Sequence, residues 1–220
     1  MSTTLKPFGL KPSFHPSGLD RSTPFAGTNS YVTGTPNFSA TYGITAGQAF
    51  YQYQPVAVNG SGALTVASQT TDRLIGSFDG VEYTDSSGRR SVSKWISYEA
   101  LAASTQIVFW IFSDPQLVYE IQAAGSIAAT AIGKGYNFSA TSGYTPLSGT
   151  SIGVGGAGFS TCALNPTAVT AGTQGQVKVV GLGREVAYPS GELNAWGDTN
   201  TIVQVQIANS QLVAPSIAVA

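Results

Sequence analysis

The stretch 106–122, QIVFWIFSDPQLVYEIQ, constrains this chain more than any other. Ile107, Val108, Phe109, Trp110, Ile111 and Phe112 follow one another without a polar break. An extended run like that is apolar on both faces, so it predicts a strand covered on both sides. Residues 117–122 alternate instead. Leu117, Tyr119 and Ile121 share one face; Val118, Glu120 and Gln122 share the other, which predicts a half-buried strand. Asp114-Pro115 between the runs suits a turn, because Asp accepts bonds from nearby backbone N–H groups and Pro presets φ. The expectation is a hairpin of one buried and one half-exposed strand. A helix competes poorly, since β-branched and aromatic residues dominate and Pro interrupts the run.

The same texture recurs along the chain. Strands are predicted at 30–33, 48–58, 63–67, 73–84, 159–164, 176–182 and 201–208, with Asn59-Gly60-Ser61-Gly62 as a turn and Pro55 at an edge or bulge. Val203, Val205 and Ile207 fall on one face of the last. Residues 85–105 break the pattern and read as an exposed loop with a short helix around 97–103. Residues 126–133 fit one or two helical turns, and 134–158 and 188–200 read as long loops. Many short strands with turn signals predict one all-β domain, a sandwich or a barrel, over 29–220.

Residues 1–28 differ. Four prolines and three glycines leave no periodicity, while Phe8, Leu10, Phe14, Leu19 and Phe25 are spaced apolar anchors, with Lys11, His15 and Arg21 among them. A disordered tail carries fewer such anchors. The segment reads as an extended arm that orders along another surface; a floppy terminus is the plainer alternative.

Charge narrows the function classes. Charged residues make up 10% of the chain and the net charge is −1, which leaves no electrostatic footprint for nucleic acid. A near-neutral polar surface suits a protein packed against copies of itself or against partners. The single cysteine, Cys162, excludes an internal disulfide. No leader of the secretory type and no run of 18 apolar residues is present in the sequence, so no membrane span is expected.

Candidate chemistry is sparse. A Ser-His-Asp site could draw only on His15, the one histidine, and nothing in the proline-rich arm predicts a rigid holder for it. Cys162 reads as a small core residue. Asp72, Asp79, Glu82 and Asp85 are spread along a strand, with Asp79 and Glu82 on opposite faces by parity, and make no calcium loop. Arg89, Arg90 and Lys94 near Trp95 read as a solvated loop. The run 153–158, GVGGAG, precedes a strand where a dinucleotide fingerprint needs a helix. Asp114 and Glu120 read as a turn Asp and a solvent-facing Glu. No cofactor, metal or catalytic residue is expected.

Several motifs, in order, resemble one family. Gly9-Leu10-Lys11-Pro12 with His15 and Ser17-Gly18 resembles the N-terminal arm of small head proteins of tailed bacteriophages. Ile111 to Pro115 followed by Val118 to Gln122 resembles their central strand pair. Val179 to Leu182, then Asn194-Ala195-Trp196-Gly197-Asp198-Thr199-Asn200, Val203 to Ile207 and Asn209, resembles their C-terminal end. Residues 85–105 have no counterpart and read as an insertion. The resemblance implies a capsid cement, or decoration, protein on the outer surface of the virion, assembled in the host cytoplasm. It implies the major capsid protein as partner, self-association as a trimer in preference to a dimer, and no catalysis. On that reading Phe8, Leu10, Lys11, Phe14, His15, Leu19, Arg21 and Phe25 contact the partner. The alternative is a carbohydrate-binding or adhesive module on the virion surface, with Trp95 and Trp196 as stacking faces and Trp110 in the core.

Overall fold

β-Branched and aromatic runs, cut by Gly, Pro and Asp, become short antiparallel strands. The computed structural model describes residues 5, 7–18, 22–25, 44, 49–60, 62–67, 72–139, 160–184 and 193–213. Among them are β1 (Lys11–Phe14), β2 (Thr23–Phe25), β3 (Ala49–Tyr51), β4 (Pro55–Val58), β5 (Leu64–Val66), β6 (Gly76–Thr84) and β7 (Arg90–Ser93). Then come β8 (Trp95–Ser97), helix α1 (Tyr98–Ala102), β9 (Thr105–Phe112), β10 (Val118–Gln122), β11 (Gly135–Phe138), β12 (Leu164–Ala168), β13 (Val177–Leu182) and β14 (Ile202–Ile207). The fold is all-β and sandwich-like, as expected.

The first sheet has the order β1-β10-β14-β13-β11-β12, and the second β2-β9-β6-β4-β5 with β7 beside β6. A third, two-stranded sheet joins β3 to β8. Each large sheet has its own core. Tyr119, Ile121, Val177, Val179, Val203, Val205 and Ile207 build the first. Phe50, Phe78, Val81, Ile107, Phe109 and Ile111 build the second, where the rings of Phe50 and Phe109 lie 5.2 Å apart. The expected common face of Val203, Val205 and Ile207 is present.

The expected hairpin at 106–122 is not one. β9 lies in the second sheet and β10 in the first, so the turn at Asp114-Pro115 is a corner between sheets. Burial is also reversed. Only Ile107, Phe109 and Ile111 of β9 are buried, whereas every residue of β10 is, Glu120 and Gln122 included. β10 sits between β1 and β14, and its buried Glu120 accepts a bond from the Arg184 N–H at 3.0 Å. Trp110, expected in the core, is half-buried; its neighbours Phe109 and Ile111 face the second core, so strand alternation sets it on the opposite face.

Other differences are local. The strand read over 48–58 breaks at Tyr53, whose φ is +63°, and its halves join different sheets. A bulge between Phe78 and Gly80 shifts parity, so Phe78 and Val81 both reach the second core and the face assignment of Asp79 and Glu82 by alternation fails. Residues 85–105 are not an irregular exposed loop. They carry β7, β8 and α1, the helix expected there, with Ser97 as its N-cap accepting from the Ala100 N–H. Residues 129–131 form a short 3-10 turn where helical turns were expected, and β11 lies inside the loop read over 134–158. β12 replaces the strand expected at 159–164; it is a sheet edge, where its Pro166 costs no ladder bond. The strand at 30–33 and the glycine run at 153–158 lie outside the described residues.

The described part of the leader is built into the body. β1 pairs with β10 and β2 with β9, both antiparallel. Leu10 is fully buried in the first core. Its N–H donates to the Tyr53 carbonyl at 2.7 Å, and its own carbonyl accepts the Ser77 hydroxyl at 2.7 Å. Gly9, at φ +80°, lies so close that a Cβ there would stand 2.2 Å from the Tyr53 oxygen. The expected arm lying on another surface is therefore corrected for these residues, which find their partners within the chain. Leu10→Ala is expected to cost about 2–5 kcal/mol, read as a lower denaturant midpoint with unchanged slope.

Candidate functional site at the leader junction

The leader follows the β9–corner–β10 path in reverse, one strand on each side of the bend. At the corner the Gln116 N–H donates to Asp114 Oδ1 at 2.8 Å, which fixes the turn. Tyr119 reaches back across the bend, its hydroxyl donating to the Phe112 carbonyl at 2.9 Å. Burial first, and the Asp114 carboxylate second, push this phenol far up, so it stays a donor. Thr23 and Ser113 meet hydroxyl to hydroxyl at 2.9 Å.

His15 is buried at the same corner. Its Nδ1 accepts the Ser17 N–H at 3.0 Å and faces the Ser17 hydroxyl at 2.7 Å. A backbone N–H can only donate, so the neutral ring carries its proton on Nε2. That nitrogen lies 3.1 Å from Asp114 Oδ2, off the line of a well-formed hydrogen bond. Ser17, His15 and Asp114 thus form a serine–histidine–aspartate array that the sequence did not predict to be held rigidly.

The bonding makes this array a latch. The Nδ1 lone pair that would accept a serine proton is shared with the Ser17 N–H, and the Gly18 N–H is bonded to the His15 carbonyl at 2.9 Å. Neither amide is left to stabilise an oxyanion, which acyl transfer requires. What these bonds do is close the leader turn on itself, while the buried His15 ring packs against Asp114 at the corner.

The other leader residues are spread apart. Phe8 and Lys11 are half-buried, with the Lys11 ammonium 5.9 Å from the Phe8 ring centre. Phe14 stays 40% exposed, with Arg184 over its ring at 5.9 Å. Leu19 and Arg21 lie outside the described residues, and of Phe25 only the backbone pairing is described. Trp95 lies on β8 opposite Tyr51, not in a loop. Trp196 packs against the first core inside a knot in which Asn194 bonds both the N–H and the carbonyl of Ile202 and Asp198 accepts the Ala195 N–H. Cys162 is buried beside the leader, accepting the Gly9 N–H on its carbonyl, and burial pushes its thiol well up.

The basic residues at 89–94 are ion-paired along the hairpin formed by β6, β7 and the turn between them. Arg90 bonds Glu82, Lys94 lies 2.7 Å from Asp79, and Arg89 lies 3.7 Å from Asp85. Among the described residues no group of three or more His, Cys, Asp or Glu side chains is placed to hold a metal. Sequence reasoning missed the polar contacts of Asp114 and Glu120, because their partners are distant in the chain. Comparison with known proteins finds no matching family model, no matching curated protein and no matching solved structure.

Two outcomes follow. His15→Ala is expected to speed amide exchange in 11–14 and 113–117 together while leaving β6–β7 unchanged, since a latch loss costs about 1–3 kcal/mol locally. The hairpin has its own pH response. The Arg90 bond holds the Glu82 carboxyl below its usual range, and the Ser87 hydroxyl does the same for Asp85. Carboxyls depressed in the folded state stabilise it above their unfolded pKa and lose that contribution as pH falls through the folded value. Protection factors in 82–92, corrected for the intrinsic exchange rate, should therefore fall below about pH 4, and Glu82→Gln should flatten the response.

Proposed function

We propose that this chain is a capsid cement protein, binding the outer surface of a phage head and bridging coat subunits. The observation that carries the reading is a charge-poor β body that leaves large apolar side chains in solvent. Val92 is 73% exposed and Leu193 77%, with Phe14, Ile132, Leu212 and Val213 exposed as well. Scattered exposed apolar groups are ordinary, but on a surface this poor in charge they suit contact with a shell. The sequence resemblance to head decoration proteins supports the same reading. The leader then contributes through what it leaves outside, Phe14 above all, because Leu10 and His15 are engaged within the chain.

A second reading is glycan binding. It rests on Trp110, half-exposed on the outer face of the second sheet opposite Gly80, with the Glu82–Arg90 ion pair on the neighbouring strands. Co-sedimentation with empty coat shells separates the two. Cement predicts saturable binding, weakened about ten- to a hundred-fold by Phe14→Asp. No binding to shells, with glycan-array binding lost in Trp110→Ala, would replace cement with the second reading.

A further inference from the structure

We propose that the two strand edges covered by the leader are an acceptor groove for the leader of a second copy of this chain. β1 is the outermost strand of the first sheet beside β10, and β2 the outermost strand of the second beside β9. Without them, both central strands would present open ladders of N–H and C=O groups, the usual template for a strand from another chain. What fits is already specified. Lys11 lies opposite Glu120, Pro12 opposite Tyr119, and Thr23 opposite Ile111, while Leu10 fills the first core and His15 meets Asp114. Each of these bonds is the same whether the leader comes from the chain's own body or from a neighbour's.

The tether therefore decides which body the leader occupies. Phe25 and Ile44, itself buried in the second core, are joined by residues 26–43. Eighteen residues reach at most about 60 Å, beyond the roughly 17 Å radius of gyration of a compact chain this long. A tethered strand competes at an effective concentration on the order of millimolar. Dilute chains keep their own leaders. Copies crowded to that density exchange them, and the low net charge offers little repulsion against close approach. The exchange is a property of this chain alone and stands or falls apart from any shell.

Thr23 and Ser113, whose hydroxyls touch at 2.9 Å, supply the test. In a Cys162→Ala background, chains carrying Thr23→Cys or Ser113→Cys alone are co-expressed, concentrated to about millimolar and oxidised. The expected product is a disulfide-linked heterodimer of twice the 22.7 kDa chain mass, bridged between the two introduced thiols. It should recede when the mixture is diluted well below that concentration before oxidation. Monomers alone at the highest concentration would overturn the proposal. So would homodimers formed as readily as the heterodimer, which mark random collision.

Discussion

Two sheets share one bent stretch of chain, and the rest of the structure is arranged around its backbone bonds. β9 lies between β2 and β6, and β10 between β1 and β14, so both arms of the bend are interior strands whose donors and acceptors must be met on two edges. The bend interrupts those ladders at the place where the chain passes from one core to the other. Phe112 marks the transfer: it is the last residue of β9, yet it packs against the first core. Asp114 closes the turn with its own side chain, and Tyr119 bonds back across it. The leader then supplies the outer edge on both sides, which is why a proline-rich segment without periodicity is held so firmly.

Much of this was legible in the sequence, and what was hidden shares one cause. Fold class, the alternation at Val203, Val205 and Ile207, the short helix around 97–103 and the burial of Cys162 all follow from neighbours within a few residues. Which edge a strand faces does not. Glu120 and Gln122 marked β10 as half-exposed because a polar residue on an alternating face reads as solvated. The Arg184 N–H that donates to Glu120 comes from far along the chain. The six apolar residues of β9 marked it as doubly covered, yet Trp110 is only half-buried. One extra residue at the Phe78–Gly80 bulge defeats a parity count, and one positive φ at Tyr53 divides a strand between sheets.

The junction site shows the same limit. His15 was visible as the only histidine and Ser17 stands two residues on, so half of the latch was present in the sequence. Asp114 was read correctly as a turn former, and its Oδ1 does that, but nothing nearby showed that Oδ2 faces the leader. The leader's anchors were recognised as anchors; their destination, in the same chain, was not. The paired charges along the β6–β7 hairpin repeat the point, since Asp79, Glu82 and Asp85 answer cations that sequence placed in a solvated loop.

Cys162 has a consequence for durability. Its sulfur is buried behind Gly9 and Leu10, and burial keeps it in the thiol form. Oxidants attack the thiolate, and peroxide or disulfide exchange needs access to it. While the leader stays seated, the folded chain offers air and metal-catalysed oxidation no sulfur nucleophile at this position. Its ageing in storage is then governed by unfolding, because only a chain whose first core has opened exposes the one thiol that can be lost.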